Sequence, residues 1–334
     1  MPGSPRSLRP SARRALIDAY SVAVISGRID RRRLRRLARG RGLIVLNLHS
    51  VAPTGGRFVR PIPPEVFDEL VGWLDRECRL TTFSGLRDLP PDGPRPAAIL
   101  SFDDGYRDFI EYALPILERH GVPANQNVVA ASVESGRPPW NVELLAAMEQ
   151  VPVESLRALE LPSGTLPRLE PAAGEHALMR WGVEVSRLLK LRPRSERAPL
   201  VDALLDQLHD QAPAPSSQPM LTAHDLAEVA RRHELGVQSY EHDSMEFESD
   251  EFFAEDVRRC RRWYRQHLGT EPRIYAFPNG SYRPSQVRIA HEAGFEHMLL
   301  VEERPSSIGE RVHPRITADG VTLRELRMRI ARAC

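Results

Sequence analysis

From residue 43 onward the chain repeats one unit, a short apolar run that ends in a polar cluster and is followed by a stretch of helical period. Short apolar runs without alternation are strands buried on both faces, and their alternation with crossover helices makes a parallel sheet or barrel. The runs are residues 43–48, 97–102, 122–131, 235–238, 273–277 and 298–301. Between them Val66, Phe67, Leu70, Val71, Leu74 and Cys78 share one face of a helix opened by Pro63 and Pro64. Phe253, Val257, Cys260, Tyr264 and Leu268 form a second helix that stops at Gly269, and Ile289, Ala290 and Ala293 a third that stops at Gly294. Residues 141–219 break the rhythm with leucine-rich helical stretches and a linker-like segment, QAPAPSSQP, at 211–219. They are expected to form a helical insertion on the barrel.

With 334 residues, 41% of them hydrophobic, there is apolar material for one large core or two modest ones, and no window approaches a membrane-spanning length. Cys78, Cys260 and Cys334 are too widely spaced for a disulfide framework or a metal knuckle. Residues 1–42 hold twelve arginines against Asp18 and Asp30, and form a separate basic segment ahead of a barrel spanning 43–334. This segment is either a solvated basic helix and tail or a peripheral contact to an anionic membrane. No nucleic-acid motif follows it, so no nucleic-acid partner is expected. Without a secretory signal pattern, the expected place is the cytoplasm, with the inner membrane face as the alternative. Lys190 is the one lysine among 46 basic residues, which reads as genome-wide codon bias.

The strand ends carry the chemistry. Residues 99–106 read ILSFDDGY, a buried-type strand closed by two adjacent carboxylates and a glycine. Neighbouring side chains on an extended backbone point apart, so one carboxylate can hold a metal while the other accepts a proton. An Asp-Asp-Gly turn explains the same residues in isolation. Other runs, however, also end in polar groups: His49, then Gln238 to Asp243, then Pro278 and Asn279. In a parallel barrel these ends share one face, where active sites are assembled.

These segments resemble the polysaccharide deacetylases of the NodB-homology domain, carbohydrate esterase family 4, over about residues 43–317. SFDDGY is similar to the family's first motif, [TS]FDDG; LGVQSYEHDSM to its second, GSH[TS]xxHxxL; YAFPNGSY to its third, FAYPYG. The resemblance implies a distorted (β/α) barrel, Asp103 as catalytic base, and Asp104 and His242 as ligands of a divalent metal, zinc by family habit. It also implies an N-acetylated saccharide as substrate, and a pocket lined by Tyr106, Trp140, Pro278 and Asn279.

The departures are specific. The first histidine of the family's Asp-His-His triad is Gln238 here, so either its amide oxygen joins Asp104 and His242 with lower affinity, or Glu246 supplies the third ligand. Gln126 and Asn127 replace a pair of phenylalanines, Asn279 replaces an aromatic, and no LxLH carries an acid histidine. His49 remains as the candidate acid, or else simply caps a strand. The expected function is hydrolysis of the N-acetyl amide of an amino sugar in a polysaccharide, lipopolysaccharide or glycan precursor. The alternative, raised by Gln238, is a catalytically degenerate barrel that binds carbohydrate.

Overall fold

The computed structural model describes residues 28–58, 60–90, 93–170, 174–211, 219–320 and 322–334. Ten strands form one sheet: β1 (Gly42–Leu48), β2 (Arg79–Leu80), β3 (Ala97–Phe102), β4 (Asn125–Val128), β5 (Glu234–Val237), β6 (Ile274–Ala276), β7 (His297–Leu299), β8 (Ser306–Ser307), β9 (Val312–His313) and β10 (Ile316–Thr317). Their order is β10-β1-β3-β4-β5-β6-β7-β9, with β2 on β3 and β8 on β1. All pairings along that path are parallel, and β8 alone runs antiparallel.

The two ends of this path, β9 and β10, are separated in sequence by only Pro314 and Arg315. Two residues span only about 7 Å fully extended, so the first and last strands must lie side by side and the sheet is a nearly closed barrel. β1 and β3 are buried at every position, as continuous apolar runs require when both faces are covered.

Twelve α-helices are described: α1 (Arg28–Arg39), α2 (Pro64–Glu77), α3 (Leu114–His120), α4 (Ala130–Ser135), α5 (Trp140–Glu149), α6 (Val153–Arg157), α7 (Glu175–Lys190), α8 (Arg194–His209), α9 (Ala223–Val229), α10 (Asp250–Leu268), α11 (Pro284–Glu292) and α12 (Leu323–Ala333). The glycine stops hold: Gly269 ends α10 at φ 69°, and Gly294 follows α11 at φ 98°. α5 to α8 make up the helical insertion and bury a core of their own around Leu144, Met148, Trp181, Leu189 and Leu204. Most of the 211–219 linker lies outside the described residues.

α1 changes the reading of the basic segment. Leu34 is buried in the main core and Arg31 pairs with Glu77 at 3.1 Å, so residues 28–39 carry a docked helix and not only a solvated one. Among the described residues no helix is long and apolar enough to cross a membrane.

Candidate active site

The carboxyl ends of β1, β3, β5 and β6 bring His49, Asp103, Asp104, Gln238, His242, Pro278 and Asn279 to one face of the barrel. The backbone there is unusual. Of the five non-glycine residues with positive φ among the described residues, four are Asp104 (73°), Ser239 (60°), His242 (61°) and Asn279 (58°); the fifth is Arg41. The left-handed region costs a residue with a Cβ free energy, and it persists where surrounding bonds over-determine it. Such bonds are present: Asp104 N–H donates to Gln238 Oε1 (2.7 Å), His242 N–H to Ser239 Oγ (2.8 Å), and Asn279 Nδ2 to Ser244 Oγ (3.2 Å).

Asp103, 1% exposed, is held from three strand ends. Arg315 grips it with two bonds, Nη1 to Oδ1 (2.8 Å) and Nη2 to Oδ2 (2.6 Å). Asn127 Nδ2 adds a bond to Oδ1 (2.9 Å) and Gln238 Nε2 a long one to Oδ2 (3.3 Å). A carboxylate offers about four acceptor sites, and all are used. Arg315 is itself fully buried, with Nε donating to Leu300 O (3.0 Å) and Nη1 to Ser101 Oγ (3.2 Å). Lying between β9 and β10, it fills the seam of the barrel.

Asp104 faces the other way. Its Oδ2 accepts from Tyr106 Oη (2.7 Å), and its Oδ1 lies 3.4 Å from His242 Nε2 with no hydrogen bond. Burial pushes the Asp104 carboxyl up, but His242, His49, the Tyr106 hydroxyl and Lys190 outweigh it and bring it below the usual carboxylate value. Burial drives the His242 imidazole down to about 4, with Asp104 opposing, so it is neutral at pH 7. His242 Nδ1 has no hydrogen-bond partner among the described residues.

The expected metal triad does not assemble. A backbone N–H can only donate, so the atom of Gln238 that faces Asp104 N is its oxygen. The amide nitrogen is left toward Asp103 and, at 3.4 Å, toward His242 Nε2. Gln238 therefore presents a donor where a metal requires a lone pair. Glu246 does not substitute: it is exposed, and its N–H bonds Ser281 Oγ. Among the described residues no group of three His, Cys, Asp or Glu is placed to hold an ion. Asp104 and His242 remain as two donors, and a catalytic zinc centre with three protein ligands does not fit them.

Two expected pocket residues are committed elsewhere. The Tyr106 hydroxyl is spent on Asp104 and its ring is 3% exposed, so it positions the carboxylate instead of meeting a ligand. Trp140 donates Nε1 to His242 O (3.3 Å) and lies under the Arg197 guanidinium at 4.8 Å, which takes one face of the ring from a sugar. Pro278 is buried, whereas His49 and Asn279 stay exposed at the mouth.

The motif readings missed Arg315, because its partner lies 212 positions away, and Lys190, whose charge reaches Asp104 and His242. Asn127 was legible only as a polar replacement. Its burial at 0% exposure beside Ser101 and Asp103 gives it a role.

Residues 221–298 match the family model described as polysaccharide deacetylase. Over that segment the chain is similar to polysaccharide deacetylases. The matched segment includes the second and third motifs, and the barrel adds the first. The Streptococcus pyogenes deacetylase PplD, solved in complex with acetate, shares the fold at TM-score 0.55 and 14% identity, covering 87% of this chain and 97% of its own. IcaB from Ammonifex degensii matches at TM-score 0.53 and 17% identity (88% and 97% covered). The BpsB deacetylase domain from Bordetella bronchiseptica matches at TM-score 0.51 and 16% identity (85% and 98%). No curated protein sequence matches this chain.

Proposed function

We propose that this protein removes the N-acetyl group from an amino sugar of a polysaccharide, lipopolysaccharide or glycan precursor. The observation that carries the reading is the immobilised Asp103 carboxylate at the barrel mouth, gripped by Arg315 and set beside the Asp104–His242 pair. Arg315 and Asn127 fix the direction of this carboxylate, which suits a general base. The longest of its four bonds, from Gln238 Nε2, is the one that a water molecule displaces to give up its proton. The exposed His49 stands at the mouth and delivers a proton to the departing amine. The Asn279 N–H donates to no described group and is the candidate oxyanion donor.

One observation favours the second reading, a barrel that binds N-acetylated saccharide without turnover: all acceptor sites of Asp103 are filled, the last by Gln238. Acetate release from a panel of N-acetylated oligosaccharides, with and without added divalent ions, separates the two. Turnover that disappears in Asp103→Asn supports the hydrolase. Saccharide binding without acetate release under every condition supports the binding barrel. The basic segment's contact with anionic membrane, and a cytoplasmic site of action, are further proposals. Sedimentation with anionic vesicles at low salt, fading as salt rises, tests the first of them.

A further inference from the structure

The end of the barrel away from Asp103 carries a second concentration of charge. β1, β2 and β3 start side by side, with Leu43 and Arg79 both in register with Ala97. The segments that lead into these strands therefore meet at the amino-terminal mouth. From Ala97 the strand runs about 20 Å before it reaches Asp103. At the amino-terminal mouth α1, the last turn of α2 and the loop before β3 bring Arg31, Arg35, Arg76 and Arg95 around a cavity of about 320 Å³. Leu34, 4% exposed, anchors α1 there, and Glu77 is the one carboxylate in the described lining.

Four guanidinium groups around one carboxylate is an arrangement that folding alone does not favour. Arg31 and Arg35 lie one helical turn apart on the same face of α1, and like charges at that spacing repel. Two of the four have structural partners. Arg31 Nε pairs with Glu77 Oε1 (3.1 Å), and Arg95 Nη1 donates to the Asp75 and Arg76 carbonyls (2.7 and 3.4 Å), which satisfies the carboxyl end of α2. Each is held through one nitrogen only. Arg35 and Arg76 make no side-chain hydrogen bond or ion pair with any described residue. All four residues are exposed, so their remaining donors are open to a ligand from outside.

A guanidinium presents a planar fork of N–H donors that matches phosphate oxygens two at a time, and several forks around one cavity favour a ligand with more than a single negative charge. A phosphate monoester carries about −1.5 to −2 charge at pH 7 and three terminal oxygens, more than a diester offers. The charge also continues beyond the cavity. Arg32, Arg36 and Arg39, exposed and outside the lining, recur at helical spacing and form a stripe along α1. A cradle that opens onto such a stripe suits a plane of anionic headgroups.

We propose that Arg31, Arg35, Arg76 and Arg95 form a binding site for the phosphate monoester headgroup of an anionic membrane lipid, with the Arg32, Arg36 and Arg39 stripe lying along the same surface. This gives the membrane contact of the basic segment a site and a headgroup class, and it rests on that reading; it does not depend on the deacetylase reading. With the cradle on the bilayer, the mouth that holds Asp103 opens on the far side of the barrel.

The test is sedimentation of the full chain with phosphatidylcholine vesicles containing either phosphatidic acid, a monoester, or phosphatidylglycerol, a diester, at matched surface charge. Wild type should bind the monoester vesicles several-fold more tightly. Arg35→Gln/Arg76→Gln should erase that preference and keep the weaker binding common to both lipids. Arg32→Gln/Arg36→Gln should weaken binding to both and keep the preference. Arg35 and Arg76 have no described partner to lose, so the first variant should keep the wild-type urea midpoint; Arg35→Lys/Arg76→Lys, which keeps the charge and loses the fork, is the second variant and should lose most of the preference. Equal binding of the two lipids by wild type, or a preference that survives Arg35→Gln/Arg76→Gln, overturns the cradle while the membrane contact stands. Absence of binding to either vesicle at low salt overturns the membrane contact itself. Calorimetry with inorganic phosphate separates the sources: binding there that Arg35→Gln/Arg76→Gln removes, without vesicle binding, assigns the cradle to a soluble phosphate and overturns the lipid headgroup.

Discussion

Asp103 and Arg315 form the pair on which the site depends, since neither is more than 1% exposed and each satisfies the other with two bonds. A buried ion pair contributes little against an apolar replacement of both partners, but removing one partner leaves an uncompensated charge. Arg315→Met should therefore destabilise the protein by about 3–5 kcal/mol in urea denaturation. Asp103→Asn together with Arg315→Met should recover part of that loss. In acetate-release assays Asp103→Asn should abolish turnover while leaving the fold cooperative, because the amide keeps the shape and cannot take the proton. Near wild-type release from Asp103→Asn would show that another group is the base.

The insertion acts on the site as an element. α5 to α8 have their own core, yet Arg197 and Trp140 reach across to Asp243 and the His242 carbonyl. Burial pushes the Asp243 carboxyl up, and Arg197 and Arg194 only partly oppose it, so this carboxylate relies on its arginines to stay charged. Arg197→Met should cost about 3–5 kcal/mol by the same buried-charge argument. It should also lower the rate of acetate release, because the His242 loop loses its clamp. Leu204→Ala, in the insertion core, should cost about 2–5 kcal/mol and leave the Asp103 geometry untouched. A Leu204→Ala protein as stable as wild type would mean that the insertion core does not contribute to the measured transition.

At the scale of the molecule, closure of the sheet and its amino-terminal helix invite two measurements. His297 and His313 share a bond of 2.9 Å beneath Phe83, and burial draws them down to about 4 and about 3. In the unfolded chain each titrates near 6.5. Between those values the unfolded state binds more protons, so their contribution to stability is complete above about pH 6.5 and is lost as pH falls toward 4. Asp256, pushed up to about 7 by burial, acts in the opposite sense. The histidines' share is thus read as the difference in urea midpoint, pH 7.5 against pH 5, between wild type and His297→Gln/His313→Gln, and the variant should show the smaller acid loss. Separately, deletion through residue 41 should cost at least about 1.5–3 kcal/mol relative to deletion through residue 27, because it removes the buried Leu34 side chain. Equal stability of the two truncations would return α1 to the status of a solvated appendage.

The sequence by itself determined the strands, the direction of their ends and the polar groups placed there. Apolar runs such as 43–48 and 97–102 have one low-energy fate in water, and the residue after each run must lie at a strand end. Asp103, Asp104 and His242 were accessible that way, and so were the glycine stops at Gly269 and Gly294. The tertiary structure decided what those groups do. That Gln238 turns its oxygen to a backbone N–H depends on two loops meeting across 134 positions of sequence. That Arg315 neutralises Asp103 follows from closure of the barrel at β9 and β10. Local periodicity is set within a few turns of chain, whereas the charge balance of a buried site is a property of groups that only folding brings together.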